Sequence, residues 1–135
     1  MEKKTTILIG DRNKNIREFL KRELMAEGYN VKLAPNGREI LNMVNGEDPP
    51  DLLIMDIFVQ MIDGLIVLEQ IKRPTPNIPV VVYTSLVEYK DHPIVKSADA
   101  FIEKNGQIDK LTEVVFKLLN KSASSIEKET AYHEK

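Results

Sequence analysis

Short apolar runs and longer amphipathic stretches take turns along the chain, and their periods differ. Thr6 to Ile9 is a β-branched, apolar run halted by Gly10-Asp11, which predicts a strand ending in a loop. Ile16, Phe19, Leu20 and Leu24 recur at helical spacing, predicting a helix from Ile16 to Met25 with Gly28 as its C-terminal stop. Tyr29 to Leu33 alternates apolar and polar, as a strand with one wetter face does. Asn36, followed three residues later by Glu39, predicts an N-cap for a helix carrying Ile40, Met43 and Val44. Leu52-Leu53-Ile54-Met55 is continuously apolar, the mark of a strand covered on both faces, and it terminates in Asp56. Asp63-Gly64 opens a helical stretch through Leu65, Leu68 and Ile71, and Pro79 to Tyr83 is a second buried-type strand ending at Thr84-Ser85. Ala100-Phe101-Ile102 is a short strand before Lys104, and Ile108, Leu111, Val115 and Leu118 mark a final amphipathic helix. Between the strands, Leu86 to Lys96 is the least clearly patterned stretch, with Pro93 placed to break or begin a helix there.

Five strand–helix units in alternation predict an α/β domain with a parallel sheet and helices on both faces, because parallel neighbours need crossover connections. Residues 1–121 account for that domain. Residues 122–135 are rich in Ser, Lys and Glu without a core-facing period, and read as a polar tail, either disordered or an extension of the last helix. There is no internal repeat and no second core.

Composition removes several classes of function. With no cysteine among 135 residues, disulfides and thiolate metal sites are excluded. The 19 basic and 21 acidic side chains leave a formal charge of −2, which gives no electrostatic reason to expect nucleic acid or an anionic membrane as a partner. The N-terminal segment offers only Ile7 to Ile9 as an apolar run, far short of a span, so a cytoplasmic location is expected. His92 and His133 are the only histidines, and neither is assigned a role.

Position is more informative than composition. Asp11, Asp56, Thr84 and Lys104 each stand just past or at the C-terminal end of a separate strand run. Ligands of open parallel sheets bind outside those ends. Taken singly, each residue has an ordinary alternative: a turn carboxylate, a helix-capping hydroxyl, a solvated lysine, with Phe101 a core aromatic. Together they supply two carboxylates, a hydroxyl and an amine, a set suited to phosphoryl chemistry. A carboxylate can form an aspartyl phosphate, and an ammonium and a hydroxyl can stabilise the phosphoryl oxygens. A nucleotide-binding enzyme is disfavoured because Gly10 stands alone after the first strand, with no glycine-rich phosphate loop.

These residues and their order resemble the receiver domains of two-component response regulators, from about Thr5 to Leu119. Ile7-Leu8-Ile9-Gly10-Asp11 is similar to the family's first strand and acidic corner, Leu52 to Asp56 to its phosphoacceptor strand, and Asp63-Gly64 to its Asp-Gly pair. The resemblance implies a flavodoxin-like (CheY-like), doubly wound five-stranded parallel sheet of order 2-1-3-4-5. It implies Asp56 as phosphoacceptor, with Thr84 and Lys104 on the phosphoryl oxygens and Phe101 as the aromatic switch. Asp11, Asp56 and the Phe58 backbone carbonyl would hold Mg²⁺. The implied partners are a histidine kinase or histidine phosphotransfer protein and a downstream protein, with no nucleic acid and no membrane. Any enzymatic activity would be limited to self-phosphorylation and autodephosphorylation. Residues 121–135 are too short and unpatterned for a helix-turn-helix reader, so output is expected through protein contacts or phosphate relay.

The chain departs from the family pattern at defined places. Arg12 stands where a second metal-binding acid is usual, exchanging a negative for a positive charge beside the nucleophile and weakening the expected Mg²⁺ site. Gln60 and Asn105 replace prolines, and a trans bond at Lys104-Asn105 puts the placing of Lys104 in question. The stretch 86–97 is expected to carry a short, shifted or absent fourth helix. Two readings follow: a phospho-receiver switching protein contacts, or a phosphorylation-independent binding module in which Arg12, with Lys104, neutralises Asp56.

Overall fold

The structure is a computed structural model that describes residues 4–58, 63–72, 78–106 and 108–121. Gln60 and the tail 122–135 therefore lie outside the described residues. In chain order the elements are β1 (Thr6–Gly10), α1 (Lys14–Ala26), β2 (Asn30–Ala34), α2 (Gly37–Val44), β3 (Leu52–Met55), α3 (Gly64–Lys72), β4 (Val80–Thr84), β5 (Ala100–Glu103) and α4 (Ile108–Lys121). All strand pairs are parallel and the order is β2-β1-β3-β4-β5, the doubly wound, flavodoxin-like arrangement.

The strand periodicity divides the core into two layers. Ile7 and Ile9 point to one face, where Leu20 and Leu24 of α1 and Leu111 and Val115 of α4 cover them. Leu8 points to the other, beneath Ile40 of α2 and Val67, Leu68 and Ile71 of α3. Strands β1, β3 and β4 are buried throughout, which is why they read as unbroken apolar runs. The edge strand β2 is only partly covered, in keeping with its alternation.

Local chemistry sets the element ends. The Asn36 side chain accepts from the Glu39 amide at 2.9 Å, capping α2. Asn13 does the same for α1, accepting from the Asn15 and Ile16 amides. Gly28 follows α1 at φ +98°, a conformation that suits glycine. No helix among the described residues is long and apolar enough to cross a membrane.

The alternation of five strands with five helices fails at one crossover. Between β4 and β5 the chain makes two 3-10 turns, Val87–Tyr89 and Val95–Ser97, in place of an α-helix. Pro93 lacks an N–H and restricts His92 before it, so an α-helical ladder cannot run through this stretch. The His92 Nδ1 accepts from the Ile94 amide at 3.1 Å, and the buried Val95 anchors the segment to the core.

The Asp63-Gly64 pair has a steric rationale. A Cβ on Gly64 would overlap the backbone carbonyl of Ile57, so α3 begins in direct contact with the chain leaving β3. Gly64→Ala is expected to cost about 1–3 kcal/mol through overpacking. The change should appear as a lower urea midpoint at unchanged m-value; an unaltered midpoint would mean that the start of α3 shifts without cost.

Candidate functional site

Strand register brings the polar residues together. Gly10 pairs with Met55, so the next residues, Asp11 and Asp56, leave adjacent strands side by side. The Asp56 amide donates to the Gly10 carbonyl at 3.0 Å, prolonging the ladder by one step. On the other side Thr84 pairs with Glu103, and the Lys104 amide donates to the Thr84 carbonyl at 2.9 Å. The ends of β1, β3, β4 and β5 thus form one rim.

At that rim the Lys104 ammonium donates to Asp11 Oδ2 and to Asp56 Oδ2, each at 2.8 Å. The other carboxylate oxygens are engaged by backbone. Asp11 Oδ1 accepts from the Asn13 amide at 2.8 Å, and Asp56 Oδ1 from the Phe58 amide at 3.2 Å. Every oxygen of the two buried carboxylates therefore has a donor from this chain. The Arg17 guanidinium donates to the Asp11 backbone carbonyl at 2.6 Å, tying α1 to the same corner.

Burial pulls the Lys104 ammonium down, but its hydrogen bonds to Asp11 and Asp56 and their charges outweigh that and raise it above its ordinary 10.5. The Tyr83 ring lies below, its centroid 5.8 Å from Lys104 Nζ. Burial pushes the Tyr83 phenol above 10.0, which keeps it neutral beneath the ion pair.

Of the four strand-end residues, three meet directly. Thr84 is on the rim, but it is fully buried; its hydroxyl accepts from the Leu86 amide at 3.1 Å, and among the described residues no hydrogen bond joins it to Asp56. Phe101 is half-buried, packed against the apolar layer that includes α2 and α3. The Lys104-Asn105 bond is trans, and Lys104 still reaches both carboxylates. The reach comes from β5 pairing with β4, which aims the lysine stem along the rim whatever follows it.

Arg12 lines the same cavity as Asp56 but stacks on an aromatic ring there. Its guanidinium carbon sits 4.0 Å from the centroid of the Phe58 ring, and among the described residues it makes no ion pair with either carboxylate. Such an exposed stack contributes about 0.5–1 kcal/mol. Arg12, Phe58 and Ser85 line a cavity of about 280 Å³ together with Asp11, Asp56 and Lys104. The roles of Ser85, Arg17, Tyr83 and the Phe58 ring were not legible in the sequence. An aromatic two residues after a strand-end aspartate was the one available signal, and it was read only for its backbone carbonyl.

Comparisons with known proteins agree on the kind of domain this is. The family model of the response regulator receiver domain matches residues 7–116. Response regulator MprA from Mycolicibacterium vanbaalenii is 30% identical over 118 residues, covering 86% of this chain and 51% of its own length. The chain thus spans about half the length of the curated relatives it matches. Among solved structures, response regulator protein TrrA from Thermotoga maritima, in complex with Mg²⁺-BeF, has TM-score 0.78 and 36% identity over 84% of this chain and 98% of that one. A chain of the complex between histidine kinase ThkA and TrrA gives TM-score 0.75 and 34% identity over 85% and 98%. A CheY-like receiver domain protein from Methanospirillum hungatei superposes at TM-score 0.80 with 24% identity over 91% and 99%, a likeness of fold.

Lys104 carries a pH-dependent share of stability. In the unfolded chain its ammonium titrates near 10.5, whereas in the fold it titrates higher. Its contribution is thus complete below 10.5 and vanishes as pH rises through the folded value. Lys104→Met should be less stable than wild type by about 3 kcal/mol at neutral pH, since it leaves two carboxylates without their shared cation. Urea titrations should show the gap closing as pH climbs past 10.5; a gap constant to high pH would assign the loss to packing of the lysine stem.

Proposed function

Since the chain belongs to the response regulator receiver family of two-component signalling, we propose that Asp56 is its phosphoacceptor and that the phosphorylated state alters protein contacts. The observation that carries this reading is the shared ammonium: Lys104 holds Asp56 beside Asp11 at a solvent-reachable cavity. In the proposed step a carboxylate oxygen of Asp56 attacks the phosphorus of a phosphohistidine on a histidine kinase or phosphotransfer protein. The P–N bond breaks, and the imidazole leaves and takes up a proton. Lys104 then divides its hydrogen bonds between Asp11 and the phosphoryl oxygens. The kinase as partner is supported by the likeness to TrrA, which was solved with histidine kinase ThkA.

Thr84 and Phe101 would transmit the change. The Thr84 hydroxyl accepts from the Leu86 amide and keeps its own proton to donate, so a phosphoryl oxygen on Asp56 would be linked through it to the stretch that carries the two 3-10 turns. A hydrogen bond of this kind contributes about 1 kcal/mol, so the link is easily reversed. Residues 86–97 and the Phe101 ring then become the region whose contacts respond.

The Mg²⁺ expected from the resemblance does not suit this donor set. Its chemistry in such a site would be neutralisation of phosphoryl charge, with Asp11, Asp56 and the Phe58 carbonyl as ligands. Both carboxylates already share the Lys104 ammonium, each also accepts a backbone amide, and a guanidinium lines their cavity. Among the described residues no group of three or more acidic or imidazole side chains could hold an ion. A divalent cation entering this neutral pocket would leave it with two uncompensated positive charges.

The same internal countercharge favours a second reading, a phosphorylation-independent binding module locked by Lys104. Incubation with phosphoramidate in Mg²⁺ buffer, followed by intact mass, separates the two. The phosphoacceptor reading expects one phosphoryl adduct on the wild type and none on Asp56→Asn. An unmodified wild type at saturating donor would leave the binding module.

A further inference from the structure

Arg12 and Phe58 form a pair that the proposed phosphoacceptor chemistry leaves unused. The guanidinium lies on the face of a ring that is itself 51% exposed, at the mouth of the cavity lined by Asp56 and Lys104. Arg12 is exposed and, among the described residues, makes no ion pair. The guanidinium thus rests on an aromatic face beside two carboxylates and is bound to neither.

Charge decides what that anion is. Two carboxylates against one ammonium and one guanidinium leave the pocket electrically neutral. A site with an acid at position 12 would carry two net negative charges and reach neutrality only with a divalent cation. Arginine at this position brings the pocket to the same net charge with no metal at all. A phosphoryl group on Asp56 adds roughly one further negative charge. The guanidinium is the one cation of the pocket not already committed to a carboxylate.

We propose that Arg12 is the built-in countercharge of the phosphorylated pocket. When Asp56 carries a phosphoryl group, the guanidinium leaves the Phe58 ring and binds the phosphoryl oxygens, so that the acyl phosphate forms and persists without a divalent cation. This inference rests on Asp56 being the phosphoacceptor. Its geometry is favourable because Arg12 directly follows Asp11, whose carboxylate shares Lys104 with Asp56. The movement required is a side-chain rotation within one cavity, and the planar fork of a guanidinium matches two phosphoryl oxygens. With phosphoramidate as donor, an Asp56 oxygen attacks phosphorus, the P–N bond breaks, and nitrogen leaves as ammonia. No oxidant or metal enters the balance.

The test compares phosphoramidate labelling in EDTA and in Mg²⁺, followed by intact mass, with beryllofluoride binding in EDTA by fluorine NMR as a readout that needs no turnover. Wild type should be labelled at similar rates in both buffers and should bind beryllofluoride in EDTA. Arg12→Ala should lose roughly 10- to 100-fold of the EDTA rate, the loss of one charge-assisted contact. Arg12→Lys should recover part of it. Arg12→Asp should become dependent on Mg²⁺, a change in metal requirement that a merely structural role for Arg12 would not produce. Wild type labelled only in Mg²⁺, or Arg12→Ala labelled in EDTA like wild type, would overturn the role of Arg12 while leaving Asp56 as phosphoacceptor. Absence of any adduct in both buffers, in wild type and Arg12→Asp alike, would overturn both.

Discussion

Two carboxylates leave neighbouring strands side by side, and the parallel ladder gives them no room to separate. Like charges at about 4 Å repel by roughly 4 kcal/mol at the effective dielectric of a protein surface. A fold with Asp11 and Asp56 in register therefore needs a cation between them, and Lys104 supplies it from β5, beyond the intervening β4. That one ammonium ties the ends of β1, β3 and β5 into a single rim. The order of the strands, the burial of β4 beneath the lysine stem and the turn chemistry at Asn13 and Phe58 all serve to hold this contact.

Once the rim is neutralised from within, the pocket's behaviour depends on how its cations are shared. Lys104 serves two anions, and a third can be accommodated only if another positive group joins or one anion yields. Arg12 is the group within reach, and its place on the Phe58 ring costs little to abandon. A site that ordinarily gathers negative charge to attract a metal is here balanced by a side chain. On the proposed reading, control of phosphoryl binding passes from ion concentration to a rotamer. The exposed face of Phe58 and the state of Asp56 would then be coupled through a single residue.

How much of this could be read from the sequence depends on the range of the interaction. Strands β1, β3 and β4 were legible because burial on both faces leaves unbroken apolar runs, and the α2 cap because Asn36 acts on an amide three residues away. The meeting of Asp11, Asp56 and Lys104 followed from their shared position at strand ends. What escaped were side-chain contacts. The Thr84 hydroxyl accepts from the Leu86 amide two residues on. Arg12 lies on Phe58, far from it along the chain, a contact made in space that no linear pattern records. The trans bond after Lys104 was harmless because the β4–β5 ladder, not the following residue, fixes where the lysine starts. The segment 86–97 was ambiguous for a sound reason: Pro93 forbids a continuous helix but does not say what replaces it.

That replacement bears on how a signal could leave the site. A full helix after β4 would move as a unit, since its intrahelical bonds resist local distortion. Two short 3-10 turns have poorer hydrogen-bond geometry and no such stiffness. They are held by the Thr84–Leu86 bond at the start, the Ile94–His92 bond in the middle, the buried Val95 near the end, and the partly buried Leu86, Tyr89 and Ile94 packed against the core. A change at Thr84 would act first on Leu86 and the Val87–Tyr89 turn that follows it. Leu86 and Tyr89 line a cavity together with Phe58. A partner sensing both would read the position of the Thr84 hydroxyl and of the Arg12 guanidinium in one contact.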